Sequence, residues 1–205
     1  MTKQTITVIP GDGIGPDIID ATIKVLDKAG CNFDYEYADA GLVALEKHGE
    51  LVPEETLELI KKNKITLKGP LTTPVGEGFT SINVTLRKQF QLYANVRPVL
   101  SFKGTKARYE NIDIITIREN TEGMYSGLGQ TVSDDGQQAE AMSLITREGA
   151  ERIVTFAYET ARKEGRKKVT AVHKANILKS TSGLFLKVAR EVGERYPDIE
   201  SAEMI

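Results

Sequence analysis

Between Lys68 and Pro98 the chain reads KGPLTTPVGEGFTSINVTLRKQFQLYANVRP, and this stretch holds the densest set of side chains suited to a charged small molecule. It opens as a turn rich in Gly and Pro. It then gathers a short hydroxyl and a short amide, Ser81 and Asn83, and two arginines, Arg87 and Arg97. A further arginine, Arg118, stands in a separate segment, IRENTEGMY. A guanidinium pairs with a carboxylate through two parallel N–H donors. Three of them near short hydrogen-bonding groups describe a pocket for a compact polyanion. The rest of the chain then reads as scaffold for that pocket, as a cofactor site beside it, or as both.

The elements that must position these residues alternate. Thr5–Pro10 reads as a short apolar strand running into Gly11-Asp12-Gly13-Ile14-Gly15. Pro16 opens a helix at its first turn, where a missing N–H does no harm. Ile18, Ile19, Ile23, Leu26 and Ala29 form its apolar face and Gly30 closes it. This strand–glycine turn–helix unit has the spacing GxGxG and not GxGxxG, so it fails the dinucleotide fingerprint at the last glycine. A tight turn accounts for the glycines without a ligand. Phe33–Ala38 alternates as a strand. Leu42 and Leu45 mark a short helix ending near Gly49. Pro53-Glu54-Glu55 starts a helix that carries Leu57 and Ile60 inward and ends at Lys61–Lys64. Ile65–Lys68 is a strand that delivers the central turn.

Beyond it, Val84–Leu92 has helical periodicity through Val84, Leu86 and Phe90, and Asn95–Leu100 is extended. Thr105–Glu110 is a polar link and Asp113–Arg118 an apolar strand. Gly123–Glu140 is polar and glycine-rich, either a protruding hairpin or a loop. Thr146 caps a helix, with Gly149 where a capping box would place Glu. Ala150, Ile153, Val154, Ala157 and Ala161 line one face of it, and Gly165 ends it. Val169–His173 is a strand, and a last helix runs from Ser180 or Thr181 to Tyr196, stopped by Pro197. The alternation predicts an α/β fold. Ile199, Met204 and Ile205 read as the start of another strand, so the sequence is expected to stop inside a domain.

Composition excludes several classes. The 205 residues are 40% hydrophobic and 27% charged, with a net charge of -2. That balance argues against a nucleic-acid binder relying on bulk positive charge. Cys31 is the only cysteine, so neither an intramolecular disulfide nor a cysteine metal cluster can form. The opening MTKQTITVIPGDGIG lacks the apolar core of a signal peptide, and no membrane span is expected. A cytoplasmic location is expected, an organelle matrix being the other compartment these features allow. His48 reads as a surface residue, His173 as structural, Cys31 as a bystander, and Asp12 and Asp134-Asp135 as solvated turn residues.

Six segments in order, IPGDGIGP, KGPLTTPVG, SINVTLR, YANVRP, IRENTEGMYSG and VHKANILKSTSG, resemble the decarboxylating dehydrogenases that act on isocitrate, isopropylmalate, homoisocitrate or tartrate. The resemblance spans nearly all of the chain and corresponds to the N-terminal three-fifths of such proteins. It implies their own α/β fold, not a conventional Rossmann fold, here incomplete at its C-terminus. Residues 1–97 would belong to a large cofactor and substrate domain. Residues 98–205 would form a small dimerisation domain with a clasp arm at about 123–140. The Ser-x-Asn at Ser81 and Asn83 resembles the isocitrate enzymes. A hydroxyl and an amide suit a third carboxylate, which apolar groups would leave poorly paired.

The resemblance further implies roles. Arg87, Arg97 and Arg118 would clamp substrate carboxylates, and Ser81 and Asn83 would contact the one that distinguishes isocitrate. Lys68, Thr72, Thr73, Asn83 and Asn176 would lie near the cofactor. Tyr125 would protonate the enolate left after decarboxylation. Lys174 would cross a homodimer interface to act at the substrate hydroxyl of the neighbour's site. The implied cofactor is NAD, with NADP the alternative, together with Mg²⁺ or Mn²⁺ whose ligands would lie mostly beyond residue 205. The implied reaction is oxidative decarboxylation of isocitrate to 2-oxoglutarate. An isopropylmalate or homoisocitrate dehydrogenase, and an inactive truncated or regulatory chain, remain alternatives.

Overall fold

A computed structural model describes residues 3–73 and 81–205; the Gly- and Pro-rich part of the central stretch, 74–80, lies outside the described residues. The chain divides into two compact units, Met1–Phe90 and Gln91–Ile205.

The first unit is built on three parallel strands in the order β2-β1-β3: β1 (Gln4–Ile9), β2 (Phe33–Tyr37) and β3 (Thr66–Lys68). Helix α1 (Gly15–Lys28) follows β1, with Pro16 in its first turn as expected. Helices α2 (Leu42–His48) and α3 (Glu54–Asn63) connect β2 to β3, and α4 (Ile82–Gln89) closes the unit. Ile6, Val8 and Ile19 form its core, with Ile23, Phe33, Tyr35 and Leu67 packed on them. The expected apolar face of α1 is narrower than the sequence suggested. Ile19 is 3% exposed and its neighbour Ile18 is 44% exposed, because adjacent helical positions point about 100° apart. In α3 the buried residues are Thr56 and Asn63, with Leu57 and Ile60 only half-buried. Thr56 Oγ1 donates to the Asp39 carbonyl at 2.7 Å. Asn63 Nδ2 donates to Thr7 Oγ1 at 3.1 Å and to Glu36 at 2.8 Å. This helix docks on the sheet largely through polar groups that satisfy one another.

The second unit holds an antiparallel pair, β4 (Ala94–Leu100) and β5 (Asp113–Glu119), and a parallel pair, β8 (Lys168–Val172) and β9 (Glu200–Met204). Between them lies a small antiparallel hairpin, β6 (Thr131–Val132) and β7 (Ala139–Glu140), so the polar segment forms the hairpin anticipated as one of its two readings. Its turn is held by Asp135, whose carboxylate accepts from Ser133 Oγ and the Gln137 N–H. Helices α5 (Arg147–Lys163) and α6 (Thr181–Gly193) pack together. Ile153, Val154, Tyr158, Val188 and Val192 lie at the centre of their core, against which Ala94 and Ile117 also pack.

The start of α5 explains its sequence. Thr146 Oγ1 accepts the Gly149 N–H at 2.9 Å. The acceptor that a capping-box Glu would give the Thr146 N–H comes instead from Glu122, at 3.0 Å. A Cβ on Gly149 would stand 2.3 Å from Glu122 Oε1. Position 149 is therefore glycine so that a carboxylate from 24 residues upstream of Thr146 can do the capping.

Candidate active site

In the first unit, β3 ends at Lys68 and the chain runs through Gly69-Pro70 to Thr72 and Thr73. Backbone packing here is tight. A Cβ on Gly69 would meet the Pro10 carbonyl at 2.0 Å, and one on Gly11 would meet the Pro70 carbonyl at 2.1 Å. The glycines after β1 thus allow two strand ends to approach each other, in agreement with the turn reading of GxGxG.

Helix α4 begins at Ile82 and ends at Gln89, two or three residues ahead of the Val84–Leu92 expected, because Ile82 and Leu86 are the residues that it buries. Ser81 occupies the N-cap position, yet its side chain makes no capping bond. The Ile82 N–H donates instead to Thr73 Oγ1 at 3.2 Å. A residue of the preceding loop thereby caps the helix, and the Ser81 hydroxyl is not used for that purpose. Asn83 and Arg87 are four residues apart and share a face of α4. Lys68 Nζ turns back to donate to the Gly69 carbonyl at 2.7 Å. Partial withdrawal of this ammonium from water, and then the nearby Arg87 guanidinium, lower its pKa from the usual lysine range, although the side chain as a whole is exposed. Two cations held in electrostatic reach favour an anion between or above them. The first unit therefore places Lys68 at the end of β3, Thr72 and Thr73 shortly after it, and Ser81, Asn83 and Arg87 at the start and along α4.

Asp12 is not the solvated turn residue expected: it is 7% exposed. Its carboxylate accepts from the Leu42 and Val43 N–H groups at 3.0 and 3.3 Å and from the Thr72 N–H at 2.7 Å. Burial without such partners would be costly for a carboxylate.

In the second unit, the register of β4 and β5 sets Asn95 opposite Arg118 and Arg97 opposite Thr116. Side chains alternate along strands, so Arg97, Asn95 and Arg118 lie on one face while Ala94 and Ile117 face the core. Arg97 Nε donates to Asn95 Oδ1 at 3.1 Å. Arg118 donates to the Tyr125 hydroxyl and lies 5.0 Å from the centre of its ring. Tyr125 belongs to a single 3₁₀ turn, Met124–Ser126, after β5. Sequence reasoning missed Asn95; the period-two alternation of ANVRP held the signal. Lys174 and Asn176 occupy the turn between β8 and α6, both exposed, and His173 Nδ1 accepts the Ala175 N–H at 3.1 Å in the structural role expected. Tyr125 is exposed too.

Among the described residues, no three His, Cys, Asp or Glu side chains stand close enough to hold a metal ion. The described residues by themselves do not assemble a site for Mg²⁺ or Mn²⁺. The donor set suits a nicotinamide cofactor better. Thr73 Oγ1 accepts from the backbone, which leaves its hydroxyl hydrogen to donate, and the Thr72 residue is exposed beside it. Among the described residues, no helix is long and apolar enough to cross a membrane.

The profile of isocitrate/isopropylmalate dehydrogenases matches residues 5–205. The chain belongs to that family. It is 46% identical over 204 residues to the isocitrate dehydrogenase [NAD] catalytic subunit 5, mitochondrial, of Arabidopsis thaliana, covering 100% of this chain and 54% of that protein. It is 44% identical over 199 residues to the chloroplastic 3-isopropylmalate dehydrogenase of Solanum tuberosum, covering 97% and 55%. Among solved structures it matches isocitrate dehydrogenase from Methylococcus capsulatus at a TM-score of 0.92 and 50% identity, covering 98% of this chain and 60% of that one. The α/β fold of this dehydrogenase family, distinct from a Rossmann fold, is thereby established for the part present. The chain spans little more than half the length of these relatives. The cytoplasmic location expected from the sequence does not stand. The eukaryotic NAD-linked isocitrate dehydrogenases that it matches carry mitochondrial names.

Proposed function

We propose that these residues serve an isocitrate dehydrogenase, which oxidatively decarboxylates isocitrate to 2-oxoglutarate and CO₂ with NAD as cofactor. The single observation that carries this reading is the Ser81-x-Asn83 pair at the start of α4, with the Ser81 side chain not engaged in capping and Asn83 one turn before Arg87. A hydroxyl, an amide and a guanidinium on one short helix suit a substrate with a third carboxylate better than one with a branched alkyl group.

In this scheme Arg87, Arg97 and Arg118 bind the carboxylates, and Ser81 and Asn83 select the third. NAD supplies the hydride acceptor, with NADP as the alternative. Lys68, Thr72, Thr73, Asn83 and Asn176 would hold the cofactor. Tyr125, oriented by Arg118, returns a proton to the carbon that loses CO₂. Lys174 handles the proton of the substrate hydroxyl in the active site of a second copy, in a homodimer with shared sites. A mitochondrial location accords with the names of the eukaryotic NAD-linked isocitrate dehydrogenases that the chain matches.

The test is isocitrate-dependent reduction of NAD and of NADP, with Mg²⁺ or Mn²⁺ present, against 3-isopropylmalate and homoisocitrate, with the intact mass recorded on the same sample. Preference for isocitrate, lost in Ser81→Ala and Asn83→Leu, supports the reading. Preference for 3-isopropylmalate or homoisocitrate overturns it, and no turnover with any of these acids at a mass of 22.6 kDa assigns the chain to the inactive alternative.

A further inference from the structure

We infer that Asp12 is a positioning residue that clamps the Thr72–Thr73 loop and, through it, the start of α4. The inference rests on the proposed role of Thr72 and Thr73 at the cofactor. Nothing in the chemistry of the proposed reaction requires an acid at this point, yet this one is buried, and each hydrogen bond that its carboxylate accepts comes from a backbone N–H of a distant segment.

The clamp works in both directions. The Asp12 N–H donates to the Pro70 carbonyl at 2.8 Å, and its Oδ2 accepts the Thr72 N–H at 2.7 Å. Residues 70 and 72 are therefore gripped at two points by one residue. Oδ1 anchors that residue to the beginning of α2, taking the Leu42 and Val43 N–H groups. These are donors that a helix start leaves without intrahelical partners, and a carboxylate is favoured there. Gly41 makes the approach possible, since a Cβ on it would stand 2.2 Å from Asp12 Oδ2. The chain of contacts continues, because Thr73 Oγ1 accepts the Ile82 N–H. Asp12 thus sets Thr72, Thr72 carries Thr73, and Thr73 caps the helix bearing Asn83 and Arg87. Both carboxylate oxygens accept N–H donors, so an amide in place of the carboxylate must point an NH₂ at another N–H.

The experiment compares wild type, Asp12→Asn and Asn63→Ala by amide exchange and by cofactor affinity. Asn63 is buried in the same unit and bonds Thr7 and Glu36, away from the loop, so its loss reports general destabilisation. The Thr72 amide is protected in wild type and exchanges about 10–100-fold faster in Asp12→Asn, while Asn63→Ala leaves it unchanged relative to global unfolding. KM for the nicotinamide cofactor rises at least about tenfold in Asp12→Asn and is unchanged in Asn63→Ala. Equal effects of the two substitutions, or an unaltered KM with a loosened loop, overturn the positioning role. Should Asp12→Asn fail to fold, wild type decides alone. Thr72 is otherwise exposed, so an unprotected amide there overturns the clamp and a protected one supports it. A wild-type protein that binds neither NAD nor NADP defeats the reading of Thr72 and Thr73 at the cofactor, and amide exchange then decides the clamp.

Discussion

Replacing Gly149 by alanine should change sign in its effect on stability according to what stands at position 122. Alanine in a helix is ordinarily favoured over glycine by about 0.5–1 kcal/mol. Here the new methyl group would lie 2.3–2.5 Å from Oε1, Cδ and Oε2 of Glu122, so the whole carboxylate must leave. It would abandon the N–H and hydroxyl of Thr146. Hydrogen bonds to a charged group contribute roughly 1.5–3 kcal/mol when buried, and this pair is only half-buried, so we take about 2 kcal/mol for the two together. Gly149→Ala should then destabilise the wild-type background by about 1–1.5 kcal/mol. In a Glu122→Ala background the same change meets no carboxylate and should stabilise by about 0.5 kcal/mol or more. The coupling, about 2 kcal/mol, is read from urea unfolding midpoints of the four proteins, followed by circular dichroism at unchanged m-value. A Gly149→Ala that stabilises wild type, or that destabilises both backgrounds equally, would falsify the account of this cap.

Two further outcomes follow from the first unit. Withdrawal from water, reinforced by a 2.9 Å hydrogen bond to Asp27, pushes the Tyr35 phenol up from 10.0 to about 12; the folded state holds this proton more tightly, so the stabilisation is full below pH 10 and is lost as pH rises towards 12. Tyrosinate absorbance against pH should lose one late step in Tyr35→Phe, and because Tyr196 beside Glu159 is also raised, the difference between the two titrations is the measurement; identical alkaline limbs would refute the assignment. Ile19→Ala should cost about 2–4 kcal/mol and Ile18→Ala less than about 0.5 kcal/mol in thermal unfolding of this chain, and comparable losses would mean that α1 is rotated from the face described.

The sequence showed most of the scaffold, because its signals are local. Pro16 at a helix start, Gly165 after a helix end, Thr146 as a cap and the apolar run in Asp113–Arg118 each depend on neighbours in the chain. What it concealed depends on contacts across many residues. The carboxylate that completes the Thr146 cap lies 24 residues away, so the glycine at 149 looked like a defect in the motif. Asp12 reads as a turn residue between two glycines, and only the arrival of Leu42, Val43 and Thr72 from other loops shows why it is buried. The cap of α4 has the same origin, since it comes from Thr73 and not from Ser81. Within the site, Asn95 went unread although the alternation of ANVRP pairs it with Arg97, whereas Arg118 joins them only through strand pairing.

The pairing of β4 with β5 also bears on how this protein can vary. Seven residue pairs, from Ala94 with Glu119 to Leu100 with Asp113, set the register, and the segment from 101 to 112 merely returns the chain. Lengthening that segment costs only a slowly growing closure entropy and leaves Arg97 and Arg118 on their common face. A single residue gained or lost within either strand would turn one arginine towards the core side. Insertions among relatives should therefore gather in the connection and be purged from the strands, so that the face bearing Asn95, Arg97 and Arg118 is inherited as a block while the loop beside it drifts.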